Sequence, residues 1–191
     1  MNPTGSAIWS EPTRRHVFVD ESIRRDGVYR LTAVAVPTTE LTTVGRAVRN
    51  RVNPGSNRVH FSSESDQRRR AILRSFANLP IEAVTLVAPY PARSNEQIAR
   101  DRCLGALVDL TVSRASELVL DTRGTDRDKA DRLAIRRALK RRPDVDLAYS
   151  HRGSRDELLL SLPDAIGWAV GAGRRWLELI AAVVTVVDIS A

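Results

Sequence analysis

HVFVDES (His16–Ser22) and VYRLTAVAVP (Val28–Pro37) are the two runs on which the fold class turns. Both are rich in β-branched and aromatic residues, the composition of half-buried strands. The short RRDG link (Arg24–Gly27) joins them as an antiparallel hairpin. Beyond the hairpin the periodicity changes repeatedly. Residues 39–51 read as a helix with Thr38 or Thr39 at its N-cap, and RVHF (Arg58–Phe61) as a short strand. Ser63–Leu79 places Ile72, Leu73, Phe76 and Leu79 at three- and four-residue spacing, a helix. A strand over Ile81–Pro89, a long helix over Ser94–Ala115 with a Ser94/Gln97 capping box, and a strand over Ser116–Asp121 follow. The remainder reads as a basic helix, a strand over Val145–Ser150, a helix broken at Pro163, and a last strand over Ala181–Val187. A hairpin followed by alternating helices and strands predicts a single α/β domain, a mixed sheet flanked by helices. The domain is expected over residues 13–191, with residues 1–12 a flexible arm.

The chain has 191 residues, enough to bury a core without metal or disulfide support. Hydrophobic residues make 42% and charged residues 28%, the balance of a folded chain. A single cysteine, Cys103, excludes a disulfide framework. No apolar run is long enough to span a bilayer and no leader pattern opens the chain, so a cytoplasmic protein without a membrane partner is expected. Oligomeric state has no signature here.

Net charge is +7, and every basic residue except Lys129 and Lys140 is Arg. Two explanations stand. Arg forks onto phosphate oxygens and displaces their counterions, whereas guanine- and cytosine-rich coding replaces Lys with Arg without consequence for function. The distribution is more informative than the total. Residues 123–142 carry nine basic and three acidic residues. On a helix, Lys129, Arg132, Arg136 and Lys140 form one narrow stripe, with Leu133, Ala134, Ala138 and Leu139 mostly opposite and free to face a core. The stripe is either a solvated helix face or a track for nucleic-acid phosphates.

Acids end several of these elements. Asp20 closes the first strand and Asp121 the strand before the basic helix, and strand carboxyl ends form the rim where α/β sheets bind ligands. Asp is also a common turn and capping residue. Asp164 follows Pro163 inside the apolar run LLLSLPDAIGWAVGAG; Pro163 at a helix start puts Asp164 in the first turn. An acid entering so apolar a helix calls for a partner or a metal. His60 and Glu64, in HFSSES, flank the start of another helix.

Taken in order, HVFVDES, VYRLTAVAVP, VHFSSES, SELVLD and LLSLPDAIGWAVG resemble the family called domain of unknown function 3800, in its actinobacterial form. The resemblance runs from about Trp9 to Trp176. It departs from the family pattern at Ile23, where Gly is usual, and at Leu162-Pro163, where Gln and Ala are usual. It implies a ribonuclease H-like fold and a metal-dependent nuclease site. Carboxylates are hard oxygen ligands suited to Mg2+ or Mn2+, and two such cations roughly 4 Å apart can drive phosphodiester hydrolysis. Asp20 would then be shared between cations, with Asp121 and Asp164 each holding one. Glu64 would be a fourth ligand or orient the attacking water, and His60 would assist proton transfer to the leaving group. Glu21 competes for the role of Glu64, but points to the other strand face from Asp20. The expected activity is hydrolysis of RNA or DNA. A non-catalytic nucleic-acid-binding or interaction module that keeps the fold, and a hydrolase of another phosphate ester or a glycoside, are the alternatives.

Overall fold

In the computed structural model, which describes residues 14–90, 96–111, 115–143 and 147–189, six strands form one sheet. They are β1 (Arg15–Ile23), β2 (Val28–Pro37), β3 (Glu82–Pro89), β4 (Ala115–Asp121), β5 (Ala148–Arg152) and β6 (Val184–Asp188), in spatial order β5-β4-β1-β2-β3-β6. β2 is antiparallel to both its neighbours, so β1 and β2 make the expected hairpin. All other pairings are parallel. β1 and β4 therefore end at the same rim. Val19 pairs with Leu120, which sets the next residues, Asp20 and Asp121, side by side.

The helices are α1 (Leu41–Arg49), α2 (Asp66–Phe76), α3 (Glu96–Thr111), α4 (Thr125–Leu139), α5 (Ser161–Gly171) and the short α6 (Arg174–Leu177). They divide between the two faces of the sheet. Val17 and Val19 of β1, with Leu118 and Leu120 of β4, pack against α3 and α4. Phe18 and Val119, one residue out of phase, pack with α1, α2 and α5 on the other side. That alternation is the two-residue period of a strand buried on both faces.

Local sequence sets some boundaries, and several differ from expectation. Ser65 caps α2, its side chain accepting from Arg68 N–H, so the helix starts at Asp66 rather than Ser63. Arg58–Phe61 is not a strand: no neighbour pairs with it, and Phe61–Ser63 makes a single 3-10 turn. Pro163 does not break a helix. It sits in the first turn of α5, where its missing N–H costs nothing. Leu133 is 48% exposed instead of facing the core. The Ser94 half of the capping box and the arm over residues 1–12 lie outside the described residues. No described helix is long and apolar enough to cross a membrane.

Candidate active site

Asp20 and Asp121 belong to the same strand phase as Phe18 and Val119, and so face the layer that holds α5. Asp164 enters from that layer, in the first turn of α5. The helix is held close by Gly167: a Cβ there would lie 2.8 Å from Thr32 Oγ1, which is itself 2.9 Å from Thr85 Oγ1. Only a residue without a side chain lets the helix, and Asp164 with it, settle on β2.

The three carboxylates act on one another. Burial pushes the Asp20 carboxyl well above the usual range, and the charges of Glu21, Asp164 and Asp121 push it further; a 2.7 Å hydrogen bond from Glu21 N–H opposes them. Burial raises Asp121, as does the charge of Glu21, against the Ser154 N–H donated to its Oδ1 at 3.1 Å and the nearby charge of Arg58. Burial lifts Asp164 to about 6, while the Phe61 N–H and Arg58 pull it down and Asp121 pushes it up. Asp20, Asp121 and Asp164 thus stand at the same sheet rim and disfavour one another's charge, though their ligand atoms do not all lie within 4.8 Å of one another.

The other expected residues fall elsewhere. Glu64 is buried, and both its oxygens are engaged: Oε1 accepts from Asn53 Nδ2 at 2.8 Å and Oε2 from Arg68 Nε at 2.6 Å. Its place is that of a clamp on the loop beginning at Asn53. His60 is exposed at the start of the 3-10 turn, its Nε2 3.5 Å from Arg58 Nε. Lys129, Arg132 and Arg136 lie on α4 and Lys140 is its C-cap; the helix packs its buried side on the sheet face opposite the acids. The structure thereby separates the basic stripe from the acid group that it follows in sequence. Lys129 pairs with Asp126 at 3.5 Å.

A second polar cluster occupies the opposite layer. Glu21 does point away from Asp20: Arg100, 1% exposed, donates from Nη1 to Glu21 Oε2 and to the Tyr29 hydroxyl, each at 2.9 Å. Its Nε and Nη2 fork onto the buried Asp131 carboxylate at 2.7 Å each. Asp128, Asp131 and His151 bring ligand atoms within 4.8 Å of one another, a donor set of the kind that holds metals. Here a cation is already present in the form of the Arg100 guanidinium, and Asp128 is taken up by the Thr122 hydroxyl and Arg123 N–H. This network reads as a buried ion cluster. Arg100 was detectable in sequence: it shares a helical face with Cys103, Leu104, Leu107 and Val108, a position where a charge needs a partner. Arg58 and Ser154, which touch the site acids or their neighbours, carried no such signal; they come from loops.

No family model matches the chain, and no curated protein matches it. Among solved structures it is similar to a chain of the PCNA–RNase HII complex from Archaeoglobus fulgidus, with a TM-score of 0.53 and 12% identity over 86% of this chain and 75% of that one. It is also similar to a point mutant of Bst-RNase HIII, with a TM-score of 0.49 and 13% identity over 94% of this chain and 57% of that one. With its mixed six-stranded sheet and flanking helices, the chain has a ribonuclease H-like α/β fold. The class defined is therefore a ribonuclease H-like domain with an acidic group at the carboxyl ends of its parallel strands.

Proposed function

We propose that this protein is a divalent-metal-dependent nuclease that hydrolyses phosphodiester bonds of RNA or DNA. One observation carries the reading. Asp20, Asp121 and Asp164 reach one rim from three separate elements, where burial and mutual charge disfavour their ionised forms. Such a group is stabilised by hard cations, and all-carboxylate donors fit Mg2+ or Mn2+. When bound, these cations would supply water activation and charge stabilisation at the phosphodiester.

The chain's own residues have distinct tasks in this reading. Asp20, Asp121 and Asp164 would hold the cations. The Glu21, Ser154 and Phe61 N–H groups orient the three carboxylates. Exposed His60 would return a proton to the leaving oxygen. Glu64 is assigned to the Asn53 loop rather than to the ligand set. The resemblance to the domain of unknown function 3800 family agrees with this arrangement, because the motifs that carry it include all three acids.

The test is a panel of labelled RNA, DNA and hybrid substrates with Mg2+, Mn2+ or EDTA, run beside Asp20→Asn. Metal-dependent cleavage lost in Asp20→Asn, with nucleic-acid binding retained, is the expected result. Binding without cleavage under every metal condition would overturn the proposal and leave a non-catalytic binding module.

A further inference from the structure

Beside the acids lies a pocket of opposite character, lined by Gly55, Ser56, Asn57, Arg58, His60 and Arg155. Its lining holds two guanidinium groups and an imidazole and no carboxylate. Arg58 joins the two sites. Its Nη1 donates to the Ser154 hydroxyl, and its charge lowers the carboxyls of Asp121 and Asp164. Ser154 in turn gives its N–H to Asp121, so the segment carrying Arg155 also braces a site acid.

The loop that presents Arg58 is built in place. At one end Asn53 is clamped by Glu64, which Arg68 holds from the other side. At the other end Val59 N–H donates to the Ser161 hydroxyl at the start of α5. Inside, Ser56 N–H donates to the Asn53 carbonyl, and the Ser56 hydroxyl donates to the Arg58 carbonyl at 2.8 Å. Gly55 takes a left-handed φ of 78° and leaves its Cβ position open. A pinned guanidinium loses little side-chain entropy when it binds an anion, and its planar fork matches phosphate oxygens.

We propose that the Arg58–Arg155 pocket seats a backbone phosphate of the nucleic acid next to the one placed over the acids, and so sets where along the strand the acid group works. This rests on the nuclease reading for its purpose, though not for its measurement. It also moves the nucleic-acid track from the α4 stripe to the layer in which the acids lie.

The experiment measures binding of fluorescein-labelled single-stranded DNA and RNA oligonucleotides in EDTA, across a salt series. The proteins are the full chain, Arg155→Glu, Arg58→Lys and Arg136→Glu, with pyrophosphate as a free-anion competitor. Arg155 is exposed, so its replacement leaves the fold intact. Arg155→Glu is expected to weaken binding on the order of tenfold and to lower the slope of log affinity against log salt by about 1. Arg58→Lys keeps a charge and loses the fork, and is expected to weaken binding with the salt slope unchanged. Arg136→Glu, on the opposite layer, is expected to change neither. Unaltered oligonucleotide binding in Arg155→Glu overturns the proposal. So does a slope lowered by Arg136→Glu instead, and so does pyrophosphate binding with oligonucleotides unaffected by either pocket variant. Because EDTA prevents cleavage, the two readings fail separately. A chain that never cleaves but loses binding in Arg155→Glu keeps the pocket and loses the nuclease; a chain that cleaves but binds normally in Arg155→Glu does the reverse.

Discussion

Gly167 meets Thr32 so closely that a Cβ on residue 167 would stand 2.8 Å from the threonine hydroxyl. Thr32 is buried and tied to Thr85, so it cannot swing aside. Gly167→Ala gains about 1 kcal/mol of helix propensity, but the overpacking costs roughly 1–3 kcal/mol. The melting temperature is expected to fall, and with it the proposed nuclease activity, because Asp164 rides on the displaced helix. Gly105→Ala on α3 is the counterpart. Nothing lies within 4 Å of its Cβ position, so the same substitution should stabilise by about 0.5–1 kcal/mol. Thermal melts of the two variants check the pair; a stabilised Gly167→Ala would show that α5 does not depend on this contact.

Arg100→Met leaves Asp131, 0% exposed, without its fork. Breaking one side of a buried ion pair costs about 3–5 kcal/mol. The urea midpoint should drop accordingly. The double variant Arg100→Met/Asp131→Leu should recover much of the loss, since neither charge is then stranded. If the double variant is no more stable than the single one, the pair is not the unit assumed here.

Asp20→Asn removes a charge that burial and three neighbouring acids disfavour, while its side-chain oxygen still accepts from Glu21 N–H. In EDTA the variant is expected to melt at higher temperature than the native chain, by the ~0.5–2 kcal/mol typical of relieving a strained functional site. Adding Mg2+ should stabilise the native chain and leave Asp20→Asn nearly unmoved. The measurement is a melting curve with and without the cation.

Two acids shift in opposite directions, and each has its own pH window. Asp164 sits at about 6 when folded, against ~3.9 for a free carboxyl, so the folded chain binds the extra proton and gains stability as pH falls from 7 through 6. Asp131 is held at about 2, chiefly by His151 and Arg100 against its burial; its contribution is full above ~4 and is lost as pH drops toward 2. In EDTA, melting temperature should therefore be higher at pH 5 than at pH 7.5 and fall again below about pH 4. Saturating Mg2+ should flatten the upper branch, since cation and proton compete for the same oxygens. A melting temperature that climbs steadily from pH 5 to 7.5 in EDTA would contradict the raised Asp164.

Sequence patterning reached the α/β architecture because β1 and β2 are rich in β-branched residues, β4 is a short apolar run ending in an acid, and α2 is amphipathic at regular spacing. It also marked Asp20, Asp121 and Asp164, whose positions at element ends follow from local signals alone. What it could not reach depends on contacts between distant segments. Val59 and His60 look like strand residues, yet no strand among the described residues pairs with them, and Val59 N–H is held by the Ser161 hydroxyl instead. Glu64 resembles a ligand until Asn53 and Arg68 occupy it. The stripe on α4 follows Asp121 directly in sequence, but the crossover out of β4 carries it to the other layer, which no helical wheel reveals.

Asp20 and Glu21 are adjacent on β1 and send their charges to opposite faces of the sheet. Glu21 meets Arg100, a counterion the chain makes for itself and seals inside. Asp20 accepts one backbone N–H, and the charges that act on it are those of further acids. If the proposed nuclease reading holds, this dipeptide separates a face whose charges are balanced within the fold from a face whose acids await a cation from outside. Chelators, competing ions and changes in cellular metal supply should act on the second face alone, leaving the folded frame as it was.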